Sequence, residues 1–546
     1  MYPEKIIRTV GDLIIHAAGK SPDKPAVLYK NDALTYAQVY EQSLRLARRL
    51  IRLGVGKGDR VCFYLEKRLE KVVSIFGISI AGGIFVPINR LAWAGQALHI
   101  IKNSEATVLI TTFSRLASLK ESLSGLLVVI VIDRPDDDTL AISCPVMSWE
   151  EVMDGNACAQ PSSGVIANDV AAILYTSGST GLPKGVVLNH LNIIAGAYAV
   201  SEYLKISTED RILSILGFGF DYGLNQLISS FLQGAQLVLY DYLFPKDILT
   251  TVEKYNITGL AAVATTWIQL LQIPWGNAMN SLRYLTNSGA SIPVPCVKEL
   301  RTRIPAAELY LMYGLTEAFR STYLPPEMVD QRPSSIGKAI PGEQILVLDE
   351  NNQPVKPGET GELVHRGVLV AQGYWGEPEL TAERFRKNPL QLEGMPIRET
   401  VVYSGDYVRM DGDGYLYFEG RRDEMIKSAG NRISPTEIEE ILYNSHLVSA
   451  AVALGIPHEI YGQVILAVVS FSHGENGKSH TKDELLAYCQ QNMPPPMVPR
   501  EIEIWDKLPI NSNGKHDRAK IKKEIYEKKG LFSRAPDSPH CQGLHP

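Results

Sequence analysis

Two spacings of apolar residues alternate along most of the chain. "ALTYAQVYEQSLRLARRLIRLGV" carries apolar residues at helical spacing and closes on glycine, which predicts a helix. "DRVCFYL", "IFVPIN", "ATVLITT" and "LLVVIVID" are short β-rich runs between helical stretches, and the alternation continues through "AQLVLYD", "ITGLAAVAT", "LRYLTNSGA" and "AELYLMYG". Such alternation predicts parallel sheets covered by helices. The most apolar stretch, residues 72–88, is interrupted by Gly82, Gly83 and Pro87. It reads as a buried helix turning into a strand, because a membrane span needs about 20 residues.

From about residue 335 the pattern becomes antiparallel. "QILVLDENNQPVKPGETGELVHRG" reads as strand, turn, strand, and "VVYSGDYVRMDGDGYLYFEG" as a hairpin around "DGDG". "SPTEIEEILYNS" starts a helix, with a capping serine, a first-position proline and early acids. "VSAAVALGIP" and "VILAVVSF" read as strands and "TKDELLAYCQQN" as a helix, so the last hundred or so residues look like a small α+β domain. A domain break is expected near 420–424. That gives a first domain over 1–420, a second over 421–525 and a tail over 526–546.

At 546 residues the chain is too long for one ordinary core, so two or more domains are expected. Its net charge of −6 and lack of a long basic run argue against nucleic acid as a partner. The cysteines (Cys62, Cys144, Cys158, Cys296, Cys489, Cys541) are scattered without a CxxC pair. That argues against a disulfide framework or zinc ribbon and suits a reducing cytoplasm. The opening residues lack the pattern of a signal peptide.

One stretch demands chemistry. "YTSGSTGLPKGV" (175–186) follows the β-like "DVAAILYT" and sets four Ser/Thr hydroxyls among glycines ahead of Lys184. Successive N–H groups and small hydroxyls make a nest for anions, and a lysine at its rim adds a point charge. A generic Ser/Gly tract is a solvated loop, but a glycine loop leaving a strand is where α/β proteins hold phosphates. No GxxxxGK[ST] pattern can be written over it. Four further stretches carry candidate groups. "MYGLTEA" holds Tyr313, Thr316 and Glu317, and "YSGDYVRMDGDGY" holds Asp406 behind a glycine. "GRRDEMIKSAGNRISPTEIE" holds Arg421, Asp423, Gly430 and Arg432, and "LPINSNGKHDR" holds Lys515. Taken singly, each has a structural explanation: a loop, a turn cap, a solvated lysine.

Together and in this order these motifs resemble those of the adenylate-forming enzymes, which include acyl-CoA synthetases, firefly luciferase and the adenylation domains of nonribosomal peptide synthetases. The resemblance runs from about residue 10 to about residue 522. It implies an α/β fold: a large N-terminal domain of helix-covered sheets plus a distorted barrel, and a small mobile α+β C-terminal lid. It implies a two-step reaction, in which a carboxylate attacks the α-phosphate of ATP to give acyl-AMP and a phosphopantetheine thiol then takes the acyl group. It also implies ATP with Mg2+. Carried onto this chain, Thr176, Ser177, Gly178, Ser179, Thr180, Gly181 and Lys184 would wrap the β- and γ-phosphates. Tyr313 would lie beside adenine, Thr316 would bond the α-phosphate, and Glu317 would hold magnesium. Asp406 and Arg421 would take the ribose hydroxyls. Lys515 would bridge the acid and the nucleotide during adenylation, when Arg432 would approach the phosphate. Asp423 is the hinge position, and Gly430 lies where the thiol enters.

The acid is read from "GFGFDYGLNQL" and "NSGA". Amino-acid-activating relatives resemble the Phe220–Asp221 pair, where the aspartate binds an ammonium, and Gly289 and Ala290 would line the same pocket. A buried Asp221 is costly unless paired, and an ammonium ligand would pair it. Alternatively, Asp221 is satisfied by backbone N–H groups at a helix start. "YGLTE" points instead to acyl-CoA ligases. The reading favours, narrowly, an amino or imino acid, with a fatty or aryl acid as the alternative and a non-catalytic nucleotide-binding relative as a minor one. The acceptor is CoA or a separate carrier protein.

Overall fold

The structure is a computed structural model. It describes residues 7–119, 123, 125–135, 142–154, 164–177, 183–421, 424–428, 431–458, 461–472, 480–511 and 513–531, with backbone alone at Ser177, Asn431 and Arg432. The candidate residues Gly178, Ser179, Thr180, Gly181, Asp423 and Gly430 lie outside the described residues. The chain divides into two compact units, 1–423 and 424–546.

The first unit is built on two sheets. In the seven-stranded sheet the order is Val146–Ser148, Val128–Val131, Val108–Thr111, Arg60–Tyr64, Ile84–Pro87, Val170–Ser177, Pro183–Asn189. All its pairings are parallel except the last, where Thr176 faces Lys184 across an antiparallel pair. The phosphate-loop candidate therefore leaves a strand, as expected, but enters a second strand rather than the N-terminus of a helix and its dipole.

The fourteen-stranded sheet joins the two textures seen in the sequence. Its parallel part runs through Arg211–Ser214, Gly259–Ala262, Tyr284–Asn287 and Glu308–Tyr313. From Glu308–Tyr313 onward the pairing turns antiparallel, through Thr322–Leu324, Ser335–Ala339 and Leu416–Arg421 to Thr400–Met410 and Thr360–Arg366. The strands that the resemblance assigns to a distorted barrel thus continue the parallel sheet in one hydrogen-bonding order.

The helices follow local rules. Tyr36–Arg52 starts at Thr35, whose hydroxyl accepts the N–H of Gln38 while the Gln38 side chain accepts the N–H of Thr35; this reciprocal cap satisfies two donors that a helix start leaves open. Leu69–Ala81 is buried at nearly every position, ends on Gly82 and hands over to Ile84–Pro87. Its uniform apolarity is the signature of a core helix.

The second unit is a five-stranded sheet with helices Pro435–Asn444, Lys482–Asn492 and Arg518–Lys528. Ser434 caps the first through the N–H of Glu437. The last helix runs three residues beyond the expected end at 525, because Ile521 and Ile525 are buried in an apolar cluster that Tyr526 and Leu531 extend. Among the described residues no helix is long and apolar enough to cross a membrane.

Candidate active site

The residues 313–317 sit where the strand Glu308–Tyr313 ends and a short 3-10 turn, Thr316–Ala318, begins. Three side chains leave this stretch toward three different partners. The Tyr313 hydroxyl donates to Asp406 Oδ2 at 2.5 Å. Thr316 Oγ1 donates to Asp221 Oδ1 at 3.2 Å. Glu317 Oε1 accepts from the Tyr374 hydroxyl at 2.6 Å.

Asp406 lies on the strand Thr400–Met410, directly across from Arg421, whose Nε is 3.4 Å from Asp406 Oδ1. Burial, and then the Asp406 carboxylate beside it, raise the Tyr313 phenol far above its ordinary range, so Tyr313 is a fixed donor. Glu317 is held from the other side as well. The N–H of Ala371 donates to the Glu317 carbonyl, and Gln372 and Trp375 donate to the carbonyls of Val187 and Gly185. Glu317, Tyr374 and the strand that carries Lys184 are thereby tied together. Tyr175 and Trp375 both bond Asn103, at 2.6 and 3.1 Å, which fixes the base of the hairpin that bears Thr176 and Lys184.

Asp221 has a partner that neither sequence reading named. It is the first residue of the helix Asp221–Gln233; the cap is Phe220, with no side-chain cap hydrogen bond. Asp221 is buried, and Arg320 Nη1 stands 3.3 Å from its Oδ2 with both side chains 3–4% exposed. The burial cost that pointed to an ammonium is offset inside the chain. Arg320 also covers the ring of Tyr222, 4.9 Å from its centroid, and the Tyr222 hydroxyl bonds the Thr286 hydroxyl. Asn287 donates to the Ala290 carbonyl at 3.0 Å and shapes the turn with Gly289, which has φ +88°. The parallel register ends at Asn287 opposite Leu311, two residues before Gly289 and Tyr313 respectively.

Lys515 belongs to the second unit. Its N–H donates to Asn511 Oδ1 and its carbonyl accepts the N–H of Asn511, so a tight turn presents it. Arg432 lies on the strand Asn431–Ile433 of the same unit. Sequence reasoning missed Arg320, Tyr374, Asn103 and Tyr222.

The sequence pattern of the AMP-binding enzyme family matches residues 14–375, and that of the AMP-binding enzyme C-terminal domain matches residues 437–515. The chain belongs to the AMP-binding enzyme family. A linear gramicidin synthase of Brevibacillus parabrevis is 33% identical over 504 residues, 92% of this AMP-binding enzyme but 9% of that protein. A second linear gramicidin synthase of the same organism is 30% identical over 517 residues, so the chain spans less than a tenth of the length of either, at 9% and 6%. Feruloyl-CoA synthase of an Amycolatopsis species is 29% identical over 523 residues, 94% of this chain and 99% of that one. In fold, this AMP-binding enzyme is similar to an anthranilate CoA ligase solved with anthranoyl-AMP, with a TM-score of 0.85 at 22% identity over 97% of this chain and 100% of that one.

Proposed function

We propose that the chain joins a carboxylic acid lacking an ammonium group to a phosphopantetheine thiol, by way of an acyl-AMP. The observation that carries this is the divergence of Tyr313, Thr316 and Glu317, whose side chains meet the Asp406 carboxylate, the Asp221 carboxylate and the Tyr374 hydroxyl.

In the first step the acid's carboxylate attacks the α-phosphorus of ATP and pyrophosphate leaves. Negative charge gathers at phosphorus, so donors and cations aimed there lower the barrier. Thr316 supplies a donor to the α-phosphate once its hydroxyl turns from Asp221. Lys184 and the loop from Thr176 hold the β- and γ-phosphates. The Tyr313 ring lines the adenine, and Asp406 with Arg421 holds the ribose hydroxyls. Lys515 serves the reacting carboxylate, and Arg432 assists the phosphate in the same state. In the second step the thiol adds to the acyl carbonyl and AMP departs; Asp423 as hinge and Gly430 at the thiol's entry belong to this step. Glu317 suits magnesium, because its carboxylate is a hard oxygen donor held in place by Tyr374, and magnesium is bound by one or two carboxylates together with substrate phosphates. The ion would neutralise phosphate charge.

The pairing of Asp221 by Arg320 supports an acid without an ammonium over an amino or imino acid. The like-length feruloyl-CoA synthase supports CoA as the thiol. Acid-dependent ATP–pyrophosphate exchange with proline, alanine, benzoate and octanoate tests the reading. Exchange with benzoate or octanoate alone is expected. Exchange with proline or alanine would restore the ammonium at Asp221, and none with any acid would remove the ligase reading.

A further inference from the structure

Arg320 reaches its place through an unusual backbone. Phe319 has φ +53° and ψ −43°, and the N–H of Arg320 donates to the Ala318 carbonyl only two residues back. This is the rare γ-turn of positive φ, and a bulky residue adopts it only when its surroundings force it. They do: Phe319 is wholly buried, and a Cβ added to Gly196 would come within 2.6 Å of its ring. Backbone strain of this kind clusters at functional sites. What this turn delivers is the Arg320 guanidinium to Asp221, one residue pair away from Thr316.

The delivered group is not saturated. Arg320 Nη2 is buried and has no hydrogen-bond partner among the described residues. Asn225, one helical turn beyond Asp221 and on the same face, has an Nδ2 in the same condition while its Oδ1 accepts from Ser229. Both open groups are donors. A buried donor left unmade is costly, so one on the guanidinium that pairs Asp221 and another one helical turn along from Asp221 call for an acceptor. An ammonium cannot be that acceptor, because it has donors only. An oxygen can.

We propose that Arg320, with Asn225 one helical turn from its counter-ion, selects the acid: the substrate carries a second hydrogen-bond-accepting oxygen, as a hydroxyl, keto or carboxylate group, a few bonds from its reacting carboxyl, and no ammonium there. This rests on the ligase reading above and narrows its substrate class. Asp221 is then the counter-ion that fixes the guanidinium, and Arg320 the specificity-determining residue.

The test is pyrophosphate exchange by the full chain with matched acids of three sizes: butyrate against 3-hydroxybutyrate and 3-aminobutyrate, octanoate against 3-hydroxyoctanoate, and benzoate against 2-hydroxybenzoate. In at least one size class the hydroxy acid is expected to exceed the plain acid by about 10- to 100-fold in kcat/KM, the worth of one hydrogen bond to a charged group; 3-aminobutyrate is expected to support none. Arg320→Lys keeps a cation opposite Asp221 but loses the second nitrogen, and should bring the hydroxy-to-plain ratio close to one. The pair D221N/R320Q removes both charges together and should do the same. A ratio near one in the wild type for every pair overturns the inference while the exchange itself upholds the ligase reading. So does a variant in which both acids fall together with the ratio kept, which is what a purely structural role would produce. If both variants fail to fold, the wild-type ratio decides. A complete lack of exchange with every acid takes down the ligase reading and this inference with it.

Discussion

At the scale of single residues the proposed roles divide by the step each would serve. Asp406→Ala removes a carboxylate that faces Arg421 and Tyr313. It is expected to raise KM for ATP by about 10- to 100-fold, the loss of a charge-assisted hydrogen bond, read by exchange at varied ATP. Lys515→Ala should cut adenylation by about 10²–10³ and leave thioester formation from synthetic acyl-AMP intact; parallel loss in both half-reactions would refute the assignment. The candidates Tyr313, Thr316, Glu317 and Asp406 were legible because each sits in a short motif with its own spacing. Arg320 was not. Nothing in "TEAFRST" announces that Phe319 takes a positive φ, and only that turn brings Arg320 to a carboxylate 99 residues earlier in sequence (320 against 221). Tyr374 was hidden for the same reason, since its partner Glu317 lies 57 residues away.

At the scale of elements, local rules carried the reading and long-range pairing did not. The helices Tyr36–Arg52 and Pro435–Asn444 follow from spacing and capping chemistry. That Val170–Ser177 turns back on Pro183–Asn189, rather than leading into a helix, follows from register, which the residues of the loop do not encode. Two elements make predictions of their own. Gly196 on the helix His190–Tyr203 gives room to the Phe319 ring, so Gly196→Ala should destabilise the protein by about 1–3 kcal/mol. Because Phe319 precedes Arg320, the same change should lower exchange activity; a variant with unaltered denaturation midpoint and rate would show that the ring can yield. The same helix begins at His190, whose Nδ1 accepts the N–H of Val10 at 3.2 Å. Burial pushes this imidazole down to about 4, against an ordinary 6.5. The folded protein therefore keeps it neutral between pH 4 and 6.5 while the unfolded chain binds a proton. This contribution to stability is whole above about 6.5 and is lost as pH falls through about 4. His190→Gln should flatten the melting temperature over that window.

At the scale of the molecule, the boundary between the compact units falls between Asp423 and Glu424, inside the stretch 420–424 where a break is expected. Asp423→Pro fixes one backbone angle there. A near-normal first half-reaction with a much slower second is the expected outcome, and thioester formation at the ordinary rate would place the hinge elsewhere. Larger-scale order also has a timetable. The first strand, Pro25–Tyr29, pairs in parallel with Gln236–Leu239, Val27 against Leu237. That parallel neighbour leaves the ribosome 210 residues after it (237 minus 27). At about 5–20 residues per second one edge of the strand waits roughly 10–40 s with its N–H and C=O groups open to other chains, a template for wrong pairing. Only the short strand Asp32–Thr35 can cover the other edge in that time. The burden on the cell is therefore set by translation speed over the stretch between these two strands, and slowing synthesis there should lower the yield of folded enzyme while leaving the stability of each finished molecule untouched.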